Sequence, residues 1–149
     1  MTVFRVWAPE ARAVHVDARS GRVPMEKKEG GWWEVSVDEA RPGDDYAFVP
    51  DGGPPLPDPR SPWQPAGVHG PSRIVDHDAF SWTDAGWKAG PLASAVFYEM
   101  HVGTFTSAGT FDAAVERLEH LTTLGVTHVE LMPVNAFPGA RGWGYDGVD

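Results

Sequence analysis

The sequence contains no cysteine, which excludes a disulfide framework, a thiol nucleophile and a thiolate metal site. It contains no apolar stretch near the ~20 residues needed to cross a bilayer. Its first residues, MTVFRVWAPEARAV, lack the basic start and apolar run of a secretory leader. The location expected from this is cytoplasmic. Basic residues are also scarce: 12 Lys and Arg face 21 Asp and Glu, a formal charge of −9. That balance argues against a nucleic-acid backbone or an anionic membrane as partner, while a neutral ligand would be indifferent to it.

The content that is present points elsewhere. Hydrophobic residues make up 42% of the 149 and charged residues 22%, enough for a packed core. Gly (17) and Pro (14) are abundant, most densely between Arg41 and Gly70, which favours turns over long helices there. Seven Trp is a high count, and many fall in Pro- or Gly-rich contexts. Exposed aromatic rings in such loops can stack on the apolar C–H faces of sugars. Equally, they can plug a small β-sandwich.

Two periods divide the chain. Up to about residue 90 the pattern is β-like. Phe4, Val6 and Ala8 alternate with Val3, Arg5 and Trp7, and Val14 and Val16 alternate with His15 and Asp17. After the Gly30-Gly31 turn, Trp33, Val35 and Val37 alternate with Trp32, Glu34 and Ser36. Tyr46 to Val49 forms another short strand. Such runs between Gly, Pro and Asp clusters predict an antiparallel sandwich. The Pro-rich stretch after residue 50 predicts an ordered loop wrapping it, because Trp63, Val68 and Ile74 give it something to bury. Arg73 to Val75 is a candidate last strand.

From Ala93 the grammar changes. Ala95 to Met100 is a mostly apolar run, as expected of a strand buried on both faces. Gly103 and Gly109 bound a loop. Phe111, Ala114, Val115, Leu118, Leu121 and Leu124 then follow at helical spacing, with Thr110 as N-cap and Gly125 at the stop. Val126 to Val134 reads as a second strand. Strand, roughly four-turn helix and strand make a βαβ unit with parallel strands and a right-handed crossover. Two such strands leave edges and faces uncovered, so this half reads as an unfinished α/β domain.

Several residues could carry chemistry. Glu99 and His101 share one face of the first of these strands, and His128, Glu130 and Met132 one face of the second. Glu99 and Glu130 could therefore form a carboxylate pair, which a retaining glycosidase would need at ~5–5.5 Å and an inverting one at ~6.5–9.5 Å. Acids on neighbouring strands are more often structural, and that is the favoured reading. His101, near its strand's C-terminal end, can face a site or play a structural part. His101, His120 and His128 lack zinc-ligand spacing, and no metal or cofactor is expected. Gly139 to Gly144 follows no strand-to-helix pattern that would cradle phosphate. The terminal WGYDG places Trp143 and Tyr145 between glycines, with Asp146 following Tyr145, a pairing suited to gripping a pyranose or, equally, a hairpin tip with an incidental aromatic.

The stretch YEMHVGTFTSAGTFDAAVERLEHLTTLGVTHVELMPVNAFPGARGWGYDGV resembles the opening of the catalytic barrel in the α-amylase superfamily. FRVWAP near the start is similar to the sandwich that precedes that barrel. GTFDAA, FPGARGWGYDG and VHGPSRIVD are most like the maltooligosyltrehalose trehalohydrolase group. HVGTFT and ELMPV are shared with glycogen branching and debranching enzymes. The resemblance implies an immunoglobulin-like β-sandwich with its Pro-rich connection over residues 1–90, then the first βαβ portion of a truncated (β/α)8 barrel over 91–149. It implies, for a longer parent protein, a retaining glycosidase that cleaves the α-1,4 bond next to trehalose in a maltooligosyltrehalose. That chemistry uses an Asp nucleophile, a Glu acid/base and a stabilising Asp, all beyond residue 149. Glu99, Glu130 and Asp146 match none of the three, so the 149 residues alone are expected to be inactive. Tyr145 matches the tyrosine that stacks under the sugar, with Asp146 and Trp143 beside it on the rim. The partner implied is an α-glucan or maltooligosyltrehalose. The alternatives are a branching- or debranching-type enzyme, or a non-catalytic α-glucan-binding module presenting Trp32, Trp33 and Trp63, of which at least one of the adjacent pair is expected to be a buried anchor.

Overall fold

The computed structural model describes residues 1–145 and 147, which form two compact units, Met1–Phe80 and Ser81–Gly147. The first is a β-sandwich. One sheet carries β1 (Thr2–Trp7), β5 (Trp32–Val37) and β4 (Glu26–Lys27) in the order β1-β5-β4. The other carries β3 (Gly21–Pro24), β2 (Val14–Ala18), β6 (Asp45–Pro50) and β7 (Ser72–Arg73) in the order β3-β2-β6-β7. All pairings in both sheets are antiparallel.

The period-2 pattern decides which side chains meet between the sheets. Phe4 and Val6 of β1, Trp33 and Val37 of β5, Val14 and Val16 of β2, and Tyr46 and Phe48 of β6 form one buried cluster. Their alternating neighbours Val3, Arg5, Trp7 and Ser36 face out. The register pairs Phe4 with Val35 and Val6 with Trp33, so the apolar sets of β1 and β5 share a face. The Phe4 and Tyr46 rings pack at 4.9 Å and those of Tyr46 and Phe48 edge-on at 5.8 Å. Strand β6 is buried on its other face as well, through Ala47 and Val49.

The Pro-rich segment does wrap the sandwich. Leu56 exchanges both backbone hydrogen bonds with Phe48, Val68 is buried, and Ile74 packs on the core. Ser72, fully buried, accepts the Asp58 backbone N–H at 2.9 Å, and Asp58 in turn accepts the Tyr46 hydroxyl at 2.7 Å. Proline cannot extend a ladder, so these few side-chain bonds take over the fastening. The last strand is shorter than expected, Ser72–Arg73 rather than reaching Val75. The charged pair of short strands β3 and β4 has no apolar alternation and was not foreseen.

Three carboxylates tie the sandwich's outer connections. Asp51 accepts the backbone N–H groups of Arg12 (2.8 Å) and Ala13 (2.9 Å), Asp17 pairs with Arg22 (2.7 Å), and Asp45 with Arg73 (2.6 Å). Each carboxyl is held below the ordinary value of 3.8, Asp51 by the Ala13 and then the Arg12 amide, Asp17 and Asp45 by the hydrogen-bonded guanidinium. A carboxyl lowered on folding adds stability above its unfolded pKa, and the gain disappears as pH falls through the folded value. The urea midpoint of the sandwich is therefore expected to drop between about pH 5 and about pH 2. In Asp51→Asn, which has no charge to lose, that profile should be flatter. An identical pH slope in the variant would show that the Asp51 bracket contributes nothing.

The second unit holds β8 (Phe97–Met100), α1 (Val102–Phe105), α2 (Phe111–Val115), α3 (Leu118–Thr123) and β9 (His128–Leu131). Strands β8 and β9 pair in parallel, with Phe97 opposite His128 and Met100 opposite Leu131. The expected single helix is two short ones. Thr110 caps the first by accepting the Ala113 N–H, but the helix breaks after Val115, and Arg117, at φ −105° and ψ 0° on the margin of the αR region, starts the second. The expected stop holds. Gly125 sits at φ +84°, its N–H bonds the Thr122 carbonyl and that of Val126 the Leu121 carbonyl, the crossed pair of a Schellman cap. The loop expected between Gly103 and Gly109 contains the turn of helix α1.

Burial here departs from expectation. Strand β8 was expected to be covered on both faces, yet only Met100 is buried, and the described side chains of β9 are half-buried or exposed. Met100, Val102 and Ala114 form a small cluster of their own. A pair of strands has two open edges, and the helices cover only the part around Leu121 and Ala114, so Phe97, Phe111, Val115 and Leu124 remain exposed. Among the described residues no helix is long and apolar enough to cross a membrane.

Candidate functional site

The expected rim residues lie in the chain that leaves β9. Met132 closes the parallel pair by donating its N–H to the Met100 carbonyl at 2.9 Å, and Pro133 then ends the ladder. The chain turns through Phe137 and Gly139 and returns so that Gly144 is buried against Pro133. A Cβ on Gly144 would run into the Pro133 carbonyl, and its φ of +82° is one that L side chains rarely adopt. At Gly142 an added Cβ would lie 2.9 Å from the Phe137 ring. The two glycines thus press the backbone inward, and the residues that alternate with them point out: Trp143 is 72% exposed and Tyr145 67%. Asp146 lies outside the described residues.

One side chain ties this loop to the other strand. His101, the residue after β8, places its Nε2 2.9 Å from the Gly142 carbonyl oxygen. A groove of about 960 Å³ runs between the strand ends and the loop, lined by Glu99, His101, Met132, Asn135, Phe137 and Trp143 among others. Its walls are mainly apolar with a few polar groups converging on it, the usual make-up of a small-molecule site.

The naive carboxylate pair is placed less favourably than its spacing suggests. Glu99 and Glu130 are direct register partners across the two strands, and both are exposed. Like charges directly opposite repel, and no cationic partner is within ion-pairing distance of either among the described residues. His128 is not gathered with them; its ring stacks near Phe97 at 4.9 Å and its Nδ1 lies 2.8 Å from Thr127 Oγ1. Among the described residues no three His, Asp or Glu side chains are grouped to hold a metal ion.

The sandwich tryptophans divide. Trp33 is the buried anchor, its Nε1–H donating to the Ala8 carbonyl at 3.0 Å. Trp32 is half-buried, with the Arg5 guanidinium 4.2 Å and that of Arg60 5.8 Å from its ring centre. Trp63 stays half-exposed beside Arg73 at 5.0 Å. Two positions escaped the sequence reading. Trp7 is exposed with its Nε1–H fixed on the Gly30 carbonyl at 2.9 Å. The His101 to Gly142 bond spans 41 residues and leaves no spacing signal; the only hint was the alternation of glycine with Trp143 and Tyr145.

Comparison with known proteins shows what this geometry is similar to. Residues 1–54 match carbohydrate-binding module 48, described as the isoamylase N-terminal domain. The chain is 48% identical over 153 residues to a malto-oligosyltrehalose trehalohydrolase of Arthrobacter ramosus, covering 97% of this chain and 26% of that protein. A 1,4-alpha-glucan branching enzyme of Photobacterium profundum is 30% identical over 166 residues, covering 97% of this chain and 23% of that protein. A crystal structure of a Salmonella typhimurium protein described as an alpha amylase superposes with a TM-score of 0.93 at 44% identity, covering 98% of this chain and 25% of that one. The chain spans about a quarter of the length of the curated relatives it matches. Over that quarter, from the sandwich through the aromatic rim, it is similar to the malto-oligosyltrehalose trehalohydrolases.

Proposed function

We propose that these residues form the N-terminal part of a retaining glycoside hydrolase that releases trehalose from maltooligosyltrehalose by cleaving the adjacent α-1,4 bond. In this reading residues 1–90 are an immunoglobulin-like sandwich with its Pro-rich connection, and 91–149 begin a (β/α)8 barrel. The work is cytoplasmic and serves trehalose formation. The relatedness to trehalohydrolases at 48% identity, against 30% for a branching enzyme, supports the first over the second.

What this part contributes is one wall of a sugar subsite. The carrying observation is the pair of outward rings, Trp143 and Tyr145, on a loop whose Gly144 is jammed against Pro133 and whose Gly142 lies against the Phe137 ring. A ring held by buried backbone loses little freedom when a pyranose stacks on it, so most of the contact energy survives as affinity. Asp146, the next residue in sequence, would serve as a hydroxyl acceptor. No carboxylate here takes the nucleophile or acid role, so the 149 residues are expected to bind α-glucan weakly and to cleave none.

Calorimetric titration with maltoheptaose tests this. Trp143→Ala and Tyr145→Ala should each weaken binding about fivefold, the factor for ~1 kcal/mol of ring contact. Trehalose release from maltooligosyltrehalose should be undetectable. A double variant that binds as well as the parent would remove the rim from the account. The second reading, an α-glucan-binding module, draws on the match of residues 1–54 to carbohydrate-binding module 48 and on the exposed rings of Trp7 and Trp63. It expects binding to survive loss of both rim rings.

A further inference from the structure

His101 is a half-buried side chain to which the glucan reading gives no work. Its ring is packed rather than loose. An added Cβ on Gly103 would sit 2.9 Å from the ring's Cε1, so the imidazole lies where only a glycine leaves room. On its other side Nε2 meets the Gly142 carbonyl at 2.9 Å, while Thr104 Oγ1 is 3.4 Å from Nδ1, too long for a strong bond. A carbonyl oxygen only accepts, so Nε2 carries the hydrogen. Gly142 immediately precedes Trp143.

We infer that His101 is a positioning residue for the sugar-contacting rim: by donating Nε2–H to the Gly142 carbonyl from the end of β8, it sets where the Trp143 and Tyr145 rings stand. Strand β8 fixes the donor, and the loop after β9 supplies the acceptor. The single bond therefore locks the rim to the neighbouring strand as well as to its own. The inference builds on the reading of Trp143 and Tyr145 as glucan contacts, but its geometry exists without sugar.

The test uses the full 149-residue chain labelled with 5-fluorotryptophan, the Trp143 resonance among the seven being identified by its loss in Trp143→Phe. His101→Leu fills the space without a donor, and His101→Gln restores an N–H. The leucine variant should shift and broaden the Trp143 signal and weaken maltoheptaose binding about tenfold, while the glutamine variant recovers both; the Trp33 signal should stay unchanged throughout. If ring volume alone mattered, leucine would be tolerated better than glutamine, and that order overturns the inference. An unaltered Trp143 signal in His101→Leu overturns it too. A parent chain that binds no maltoheptaose defeats the glucan reading, whereas the sugar-free Trp143 signal still decides the role of His101. Should the leucine variant unfold, 15N spectra of the parent decide. A protonated, slowly exchanging His101 Nε2 is expected, and a bare Nε2 contradicts the assignment.

Discussion

Trp33→Ala is expected to destabilise the sandwich by about 3–5 kcal/mol, the range for removing a buried large aromatic side chain. The indole is only 5% exposed, lies in the cluster that joins the two sheets, and donates Nε1–H to the Ala8 carbonyl at 3.0 Å. Truncation would leave a cavity lined by Val6 and its neighbours and remove a partner from that carbonyl. A domain of this size has on the order of 5–15 kcal/mol in total, so the variant should be close to unfolding in water. Trp32→Ala, one residue away, should cost under about 1 kcal/mol, because a half-exposed ring flanked by arginines gives up little burial. Urea denaturation followed by far-ultraviolet circular dichroism reads both. Equal midpoints for the two variants would mean that the two-residue alternation does not govern the core.

Gly144→Ala is expected to abolish measurable glucan contact, reducing affinity at least about tenfold, while leaving the urea midpoint of the sandwich where it was. Two costs combine. A side chain at a left-handed backbone position costs about 1–3 kcal/mol. The new methyl would in addition collide with the Pro133 carbonyl, which is backbone at the end of the parallel ladder and cannot swing away. The loop must then lift, carrying Trp143 and Tyr145 with it. Titration with maltoheptaose and limited proteolysis of residues 133–147 would report the change. A variant that binds as the parent does and resists protease equally would show that the close approach to Pro133 is unimportant.

The sandwich was legible because its physics is local. Alternation in β1, β2 and β5 places Phe4, Val16 and Trp33 inward whatever the rest of the chain does, and even the split of the adjacent pair Trp32 and Trp33 follows from it. Strands β3 and β4 were invisible because their ladders join charged residues, Arg22, Glu26 and Lys27, at the sheet edges, with no apolar alternation to mark them. The helix stop at Gly125 was readable for the same local reason. The interruption at Arg117 was not, since no proline or glycine marks it. In the second unit the apolar runs announced strands, but the burial they anticipated depends on neighbouring layers that two strands and three short helices do not supply. Of the rim, Trp143 and Tyr145 could be picked out by their residue type between glycines. The purpose of those glycines, contact with Pro133 and Phe137, and the fastening by His101 are tertiary and had no linear trace.

The central claim is that sugar meets this chain at the rim after β9. The most direct measurement is a 19F titration of the fluorotryptophan-labelled chain with maltoheptaose, all seven ring signals assigned by single substitutions. Movement of Trp143, with Trp7, Trp32 and Trp63 still, is the result expected. Movement of the sandwich rings with Trp143 still would contradict it and make the first unit the glucan-binding part.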